Sequence, residues 1–298
     1  MEEYTGRIVR GVGGFYYVDV PQRGIFQCRA KGLFRNEHIR PLVGDMARLH
    51  EVVDTDVELA GSIDGILERK SELQRPAIAN VDRAVVIFAA ADPDPNLSLL
   101  DRLLCELERQ RVESVVCFNK RDLAEPAFLE RLKEIYESAG YRVVTTCAKT
   151  GEISELKEAI RGHVATLAGP SGAGKSSVVN LLQSSSHMET GTISKKLGRG
   201  RHTTRHAQLF SVDGCEDTYI ADTPGFSDIE LGAVDERDLG DLFPEIRPLK
   251  DKCRFAGCAH IKEKDCAVKA AVREKLISPE RYGSYKSFYR EIKAQRRY

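Results

Sequence analysis

The sequence predicts a multidomain protein with a small N-terminal β-barrel, a central α/β domain and a C-terminal helical segment built around a metal ion. Short strand-like runs crowd the first seventy residues, apolar runs alternate with helical stretches after them, and cysteine and histidine residues cluster near the C-terminus. A chain of 298 residues is long enough for two or three such domains.

Strand-like runs separated by glycine- and proline-containing turns occupy residues 1–70, the predicted N-terminal domain. They are Gly6–Arg10, Phe15–Val20, Ile25–Ala30, Met46–Val53 and Ser62–Leu67. Strands this short and this close together favour a small closed barrel, and the OB-fold is the commonest barrel of that size. A small sandwich or an SH3-like barrel is the alternative that the pattern leaves open.

Residues 71–228 show the alternation of strands and helices that defines the predicted central domain. The predicted strands are Ala84–Ala90, Ser114–Phe118, Tyr141–Thr145, Val164–Ala168 and Thr218–Ala221. Helices are predicted near Leu97–Arg109, Ala127–Ala139, Ile153–Arg161 and Lys175–Gln183. Continuous apolar strands separated by helices indicate a mostly parallel sheet that is covered on both faces.

A phosphate-binding loop is predicted at residues 169–176, which read GPSGAGKS and have an apolar strand before them and a helix after them. Its glycines let backbone N–H groups turn toward the β-phosphate, and the helix N-terminus favours negative charge. Lys175 is expected to reach the β- and γ-phosphates, and the Ser176 hydroxyl to hold Mg²⁺. The predicted nucleotide-binding residues here are Gly169, Pro170, Ser171, Gly172, Ala173, Gly174, Lys175, Ser176 and Ser177.

A second phosphate-side motif, DTPG, begins at Asp222, 53 residues after Gly169 and at the end of a predicted strand. Asp222 is expected to act on Mg²⁺ through a water molecule, and the Gly225 N–H to sense the γ-phosphate.

A guanine-reading segment is predicted at residues 119–122, which read NKRD and also follow a strand. Guanine offers N1–H and N2–H₂ as adjacent donors to one carboxylate, whereas adenine presents an acceptor at N1 and would leave that carboxylate unpaired. The segment CAK after the next strand supplies a backbone N–H for the guanine O6. The predicted base-binding residues are Asn119, Lys120, Asp122, Cys147, Ala148 and Lys149.

A zinc site is predicted from the spacing C-x₄-C-x-H-x₅-C, whose ligands are Cys253, Cys258, His260 and Cys266. Three thiolates and an imidazole form a closed tetrahedral set suited to one structural Zn²⁺ ion, so catalysis at this metal is not expected. Such a site can fold a segment too small to build its own core, so chelation is expected to unfold the tail alone. The remaining cysteines are scattered, which indicates reduced thiols and not a disulfide scaffold.

Charge is balanced over the whole chain but not along it. Residues 247–298 carry 15 basic and 6 acidic residues, as expected of a segment that meets a polyanion, although a solvated helix face gives the same pattern. The first ten residues are charged, unlike a secretory signal, and the longest apolar run, Ala84–Ala91, is far shorter than the roughly 20 residues of a membrane span. A cytoplasmic protein without a membrane partner is expected.

The motifs occur in the order NKRD, CAK, GPSGAGKS, GRHTTR and DTPG, which is the order of the circularly permuted GTPases. With the N-terminal barrel and the Cys/His cluster, essentially all 298 residues resemble the ribosome small-subunit-dependent GTPases of the RsgA type. The resemblance implies an OB-fold RNA-binding domain at 1–70, a circularly permuted GTPase domain at 71–228 and a zinc-binding domain at 229–298.

The same resemblance implies a function. It implies a monomeric GTP hydrolase that binds GTP and GDP, contacts 16S rRNA and acts in late maturation of the small (30S) ribosomal subunit. Subunit binding is expected to stimulate hydrolysis, and nucleotide state is expected to be coupled to the zinc domain. The alternative is a GTP-switched RNA-binding protein that acts on another RNA or ribonucleoprotein.

The segment GRGRHTTR, Gly198 to Arg205, matches the family's other switch. Thr203 or Thr204 is expected to complete the Mg²⁺ coordination, with Thr204 preferred, so the predicted magnesium ligands are Ser176, Thr204 and Asp222. Phe226 stands where many GTPases carry a water-orienting glutamine, and an apolar side chain cannot hold the attacking water. His202 is the candidate for that catalytic role, and a contact with phosphate or with the partner alone is the alternative.

Overall fold

The computed structural model describes residues 2–31, 34, 40–53, 57–74, 77–183, 207–222 and 234–295. The described residues fall into two compact units. The first comprises Met1–Arg83, Ile160–Leu167 and Leu182–Gly225, and the second comprises Ala84–Ala159, Ala168–Leu181 and Phe226–Tyr298. None of the helices in the described part of the chain is long and apolar enough to span a membrane.

The described strands and helices follow the predicted order along the chain. The strands are β1 (Glu3–Val12), β2 (Phe15–Val20), β3 (Gly24–Ala30), β4 (Met46–Glu51), β5 (Ala60–Ile66), β6 (Glu72–Gln74), β7 (Ala77–Ala79), β8 (Arg83–Ala89), β9 (Glu113–Asn119), β10 (Arg142–Thr145), β11 (Val164–Ala168), β12 (Gln208–Ser211) and β13 (Tyr219–Asp222). The α-helices are α1 (Leu97–Arg109), α2 (Pro126–Glu137), α3 (Ser154–Ile160), α4 (Lys175–Leu182), α5 (Ala267–Arg273) and α6 (Pro279–Gln295).

The first unit contains a closed five-stranded barrel built from β1 to β5. β1 pairs antiparallel with β2 and with β4, β2 pairs with β3, β4 pairs with β5, and the parallel pair of β3 and β5 closes the ring. Alternate side chains point inward to a core that includes Ile8, Val18, Phe26 and Leu49. The five predicted strands and the OB-like barrel are confirmed.

Three further strands of the first unit extend from the barrel. β12 pairs with β1 at Gln208 and Arg10, β13 pairs antiparallel with β12, and β13 runs parallel to β11. β11 ends at Ala168, the residue before the predicted phosphate loop. The predicted strand at Thr218–Ala221 is therefore confirmed, displaced by one residue.

The second unit contains the strands and helices of the base-reading region. β9 lies between β8 and β10 and runs parallel to β10, and β8 is buried along its whole length, as its apolar run predicts. α1 begins after Asn96, whose side chain accepts a hydrogen bond from the Leu99 N–H at 3.0 Å and so caps the helix. α2 begins with Pro126, which needs no helical N–H donor at that position.

The C-terminal segment packs with α1 around one hydrophobic core. The buried members of this cluster are Cys105, Leu239, Leu242, Phe243, Ile246, Cys266, Val268, Ala271, Ile277, Tyr285, Phe288 and Ile292. Of the predicted metal ligands, Cys266 is a buried member of the cluster, and Cys253 and Cys258 pack against it. Because most members of this core are not metal ligands, we now expect the two terminal helices to stay folded when the metal is removed, whereas the sequence alone led us to expect that the tail unfolds.

A buried arginine fixes α6 to α1. Arg281 is 1% exposed, and its guanidinium donates to Asp101 Oδ1 at 2.7 Å and to the two carboxylate oxygens of Glu245 at 2.8 and 3.1 Å. Burial by itself lowers the pKa of Arg281, but the charges of Asp101 and Glu245 raise it well above its usual value. The guanidinium therefore stays charged, and its two partners hold it in one orientation.

Replacing Arg281 is expected to destabilise the protein strongly, because Asp101 and Glu245 would remain buried without a cation. Arg281→Met should lower the free energy of unfolding by about 3–5 kcal/mol, measured by urea denaturation followed by far-ultraviolet circular dichroism. The control is Arg131→Met in α2, which removes an exposed ion pair with Glu280 of α6 and should lower the free energy of unfolding by less than about 1 kcal/mol. Equal losses for the two variants would contradict the assignment.

Candidate nucleotide and metal sites

The predicted phosphate loop lies between β11 and α4, and its glycines are required by close backbone contacts. Gly169 has φ +138°, and a Cβ atom there would lie 2.0 Å from the Ile87 carbonyl oxygen. Gly174 has φ +87°, and a Cβ atom there would lie 2.3 Å from Asn119 Nδ2. Both positions therefore exclude larger residues, and the loop takes the tight turn that phosphate binding requires.

Lys175 and Ser176 stand in the first turn of α4, as predicted. The Lys175 ammonium donates to the carbonyl oxygens of Gly169 and Pro170, at 2.7 Å each, and so closes the loop on itself. Partial burial lowers the pKa of Lys175 from its usual value. Ser176 is exposed and lies at the N-terminus of the helix, where a phosphate is favoured.

The side-chain amide of Asn119, at the end of β9, contacts the predicted phosphate loop and the segment that contains CAK. Asn119 is 1% exposed, and its Nδ2 donates to the carbonyl oxygen of Ala173 in the phosphate loop at 3.0 Å. Its Oδ1 accepts from the Ala148 N–H at 3.1 Å and from the Thr146 hydroxyl at 3.0 Å. Thr146 was not identified from the sequence, and its position directly before the CAK segment was the available signal.

The other residues predicted to bind the base lie beside Asn119. Asp122 is in a short 3₁₀ turn and is exposed, while its Oδ1 accepts from the buried Cys147 thiol at 3.1 Å. Lys120 has φ +59°, a strained conformation that is common at functional sites. Its ammonium donates to the carbonyl oxygen of Asp92, so the lysine stem extends along the loop before α1.

These residues surround one cavity of about 420 Å³, a size typical of small-molecule sites. It is lined by Asn119, Lys120, Asp122, Leu123, Ala148, Lys149, Gly174 and Ser177. The structure thus brings together residues of the NKRD, CAK and phosphate-loop motifs, which are separated along the chain.

Other predicted site residues cannot be placed. His202, Thr203, Thr204 and Gly225 lie outside the described residues. Asp222 ends β13, as predicted, but its side chain is not among those described. The catalytic and magnesium-binding assignments of these residues stay predictions.

The four predicted zinc ligands converge at one point in the second unit. The ligand atoms of Cys253, Cys258, His260 and Cys266 all lie within 4.8 Å of one another. His260 Nδ1 is 3.5 Å from the Cys253 sulfur and 3.4 Å from the Cys266 sulfur, and these two sulfurs are 3.8 Å apart. A tetrahedral zinc site with Zn–S bonds of about 2.3 Å has edges of about this length. Burial lowers the pKa of His260, which favours the neutral imidazole that binds metals.

A predicted phosphate loop, a predicted guanine-binding segment that precedes it in the chain and strands alternating with helices are the features of a circularly permuted GTPase. Family models described as RsgA GTPase and RsgA N-terminal domain match residues 66–232 and 5–57. Curated proteins named small ribosomal subunit biogenesis GTPase RsgA, from Agathobacter rectalis and Caldanaerobacter subterraneus, are 48% and 44% identical to this chain. The alignments cover 99% and 100% of this chain and 100% and 99% of those proteins.

Solved structures agree with the sequence comparisons. The crystal structure of YloQ, described as a circularly permuted GTPase, is 34% identical, has a TM-score of 0.79 and covers 99% of this chain and 96% of its own. The structure of YjeQ from Thermotoga maritima is 31% identical, has a TM-score of 0.77 and covers 98% of this chain and 99% of its own. The chain belongs to the RsgA GTPase family, and it is a GTP hydrolase.

Asp122→Asn is expected to weaken GTP binding, because an amide cannot accept hydrogen bonds from both guanine donors. A loss of about 1–3 kcal/mol corresponds to roughly 5- to 150-fold in affinity, measured by titration with a fluorescent GTP analogue. Xanthosine triphosphate should bind this variant better than the wild type, since its C2 carbonyl replaces the amino group. The control is Glu125→Gln, an exposed carboxylate outside the cavity lining. Unchanged GTP affinity of Asp122→Asn would rule out Asp122 as the base reader.

Proposed function

We propose that this protein acts in the late maturation of the small ribosomal subunit, and that it hydrolyses GTP when it binds the subunit. The proposed binding of GTP is supported above all by the cavity in which the NKRD, CAK and phosphate-loop residues meet around Asn119. The ribosomal part is supported by the curated relatives, which are named small ribosomal subunit biogenesis GTPases and match over their full length. We further propose that the protein works in the cytoplasm as a monomer.

We propose three domains with separate roles: the OB-fold at 1–70, the GTPase domain at 71–228 and the zinc domain at 229–298. The two flanking domains are proposed to contact 16S rRNA. On the outer face of the barrel, the Arg10 guanidinium lies over the Tyr17 ring and the Arg29 guanidinium over the Phe15 ring, at 5.2 and 4.6 Å. Arginine and aromatic side chains together suit contact with nucleotides, and the excess of basic residues at 247–298 suits contact with phosphates.

Two metal ions are proposed, Zn²⁺ at the Cys₃His cluster and Mg²⁺ with GTP. The cluster distances fit zinc, and three thiolates with one imidazole leave no open position for chemistry. Ser176, Thr204 and Asp222 are the proposed magnesium ligands. When bound, Mg²⁺ neutralises charge on the β- and γ-phosphates. Lys175 is proposed to leave the loop carbonyls that it now contacts and to bind the same phosphates.

Coupling between the nucleotide and the zinc domain is supported by contacts within the second unit. Lys120 contacts the Asp92 carbonyl in the loop that leads into α1. α1 in turn holds α6 through Arg281 and through the bidentate pair of Arg102 with Glu291, at 2.9 and 2.6 Å. We propose that a change of bound nucleotide alters the zinc domain through α1 as well as through the segment that follows Gly225.

The test of this function is GTP turnover with and without purified small subunits, together with nucleotide-dependent co-sedimentation. Wild-type protein should be stimulated by subunits and should co-sediment more in the GTP state than in the GDP state. If His202 orients the attacking water, His202→Ala should lower kcat by about 10²–10⁴-fold with little change in GTP affinity, and it should remain on the subunit as a GTP complex.

Phe226→Ala is the comparison variant for that experiment, because an apolar side chain can only pack the switch or exclude water, and its effect should be smaller. Near wild-type turnover by His202→Ala would show that another group holds the water. Collapse of its GTP affinity would make His202 a binding residue. Absence of both stimulation and co-sedimentation in the wild type would overturn the ribosomal function itself.

A further inference from the structure

The loop that carries two of the predicted zinc ligands has its N–H groups bound by one carboxylate. Glu263 accepts hydrogen bonds from the N–H groups of Ala259 at 3.1 Å, Ile261 at 2.9 Å and Lys262 at 3.0 Å. These N–H groups flank His260 on both sides. Hydrogen bonds from backbone N–H groups to a charged acceptor are among the stronger ones in proteins, so Glu263 fixes the curvature of the loop.

The carbonyl groups of the same loop are bound from the other side by α6. The Tyr285 hydroxyl donates to the Ala259 carbonyl oxygen at 2.9 Å, and the Tyr282 hydroxyl donates to the His260 carbonyl oxygen at 2.6 Å. Tyr285 is 2% exposed, and the two rings stack at 6.3 Å. The peptide groups next to Cys258 and His260 are therefore hydrogen-bonded to protein side chains on both sides of the loop.

The backbone of His260 has φ +57°, in the left-handed region that a non-glycine residue rarely occupies. Such a conformation persists where surrounding contacts hold it in place. Here Tyr282, Tyr285 and Glu263 supply those contacts. None of them is a metal ligand.

The helix that presents the tyrosines is itself anchored away from the metal. Arg281, the residue before Tyr282, is buried in its ion pairs with Asp101 and Glu245. Tyr285 also packs edge-on against Phe243, with ring centroids 5.4 Å apart. α6 thus has its position set by α1 and by the C-terminal core, and it presents both hydroxyls at a fixed place.

We propose that Tyr285, Tyr282 and Glu263 are positioning residues of the metal site, which hold the ligand loop in its metal-binding conformation before the metal arrives. The inference rests on the proposed zinc site but not on the GTPase function. Zinc then binds a preformed site and does not fold the segment. Groups that orient metal ligands typically change metal affinity by about 10–100-fold when they are removed.

The first test is Tyr285→Phe, which removes one hydroxyl and keeps the ring in the core. Zinc affinity, measured by competition with a chromophoric chelator, should fall about tenfold, at the low end of that range, because the tyrosine acts on a backbone carbonyl next to the ligand. The visible absorption of bound Co²⁺ should also change, since a looser loop alters the tetrahedral geometry. Tyr289→Phe, which removes a hydroxyl one turn further along α6, is the matched control and should match the wild type in both measurements.

The second test needs no variant. In wild-type protein from which the metal has been removed, the N–H groups of Ala259, Ile261 and Lys262 should remain protected from hydrogen exchange. Exchange of these groups at the rate of an open chain, or zinc affinity of Tyr285→Phe within twofold of the wild type, would overturn the inference. Wild-type protein that binds much less than one zinc per chain would instead overturn the proposed metal site.

Discussion

The cavity that we propose as the nucleotide site depends on the buried side-chain amide of Asn119. At the end of β9, this amide bonds the phosphate loop through Ala173 and the CAK segment through Ala148. The approach is so close that Gly174 cannot carry a Cβ atom. A buried amide that is left without hydrogen-bond partners costs free energy. The amide of Asn119 therefore favours the one arrangement in which the Ala173 carbonyl and the Ala148 N–H are both within hydrogen-bond distance. The asparagine therefore sets the distance between the CAK segment and the glycine-rich loop at residues 169–176, which both contribute to the cavity lining.

A second buried polar group, Arg281, fixes the position of the C-terminal segment through its ion pairs, much as Asn119 fixes two loops through hydrogen bonds. Buried ion pairs contribute little net stability compared with apolar packing, but they tolerate few alternative arrangements. Arg281 thus fixes how α6 lies on α1, and α6 fixes the metal loop through its tyrosines. In the sequence, the DTPG motif at residues 222–225 directly precedes this C-terminal segment.

Features that lie within a short segment could be predicted from the sequence. Contacts between residues far apart in the chain could not. The barrel strands, the tight glycine-rich loop and the Cys/His cluster each lie within short segments, so alternation and spacing in the sequence were enough to predict them. Arg281 belongs to a basic tail that resembles a solvated face, and its partner Asp101 lies 180 residues earlier. The contribution of Cys105 in α1 to the C-terminal core was not identified for the same reason. Periodicity along one helix shows which face is apolar but not what covers it.

The most direct test of the account replaces Asn119 by Asp, which keeps an acceptor oxygen and removes the donor to the Ala173 carbonyl. Two ligands are titrated, GTP, which needs both ends of the cavity, and inorganic triphosphate, which needs the phosphate loop alone. We expect both ligands to bind more weakly. Leaving a buried hydrogen-bonding group unsatisfied costs about 1–3 kcal/mol, which corresponds to roughly 5- to 150-fold in affinity. Triphosphate binding at wild-type strength, together with weaker GTP binding, would show that Asn119 serves the base-reading segment alone and would contradict the account.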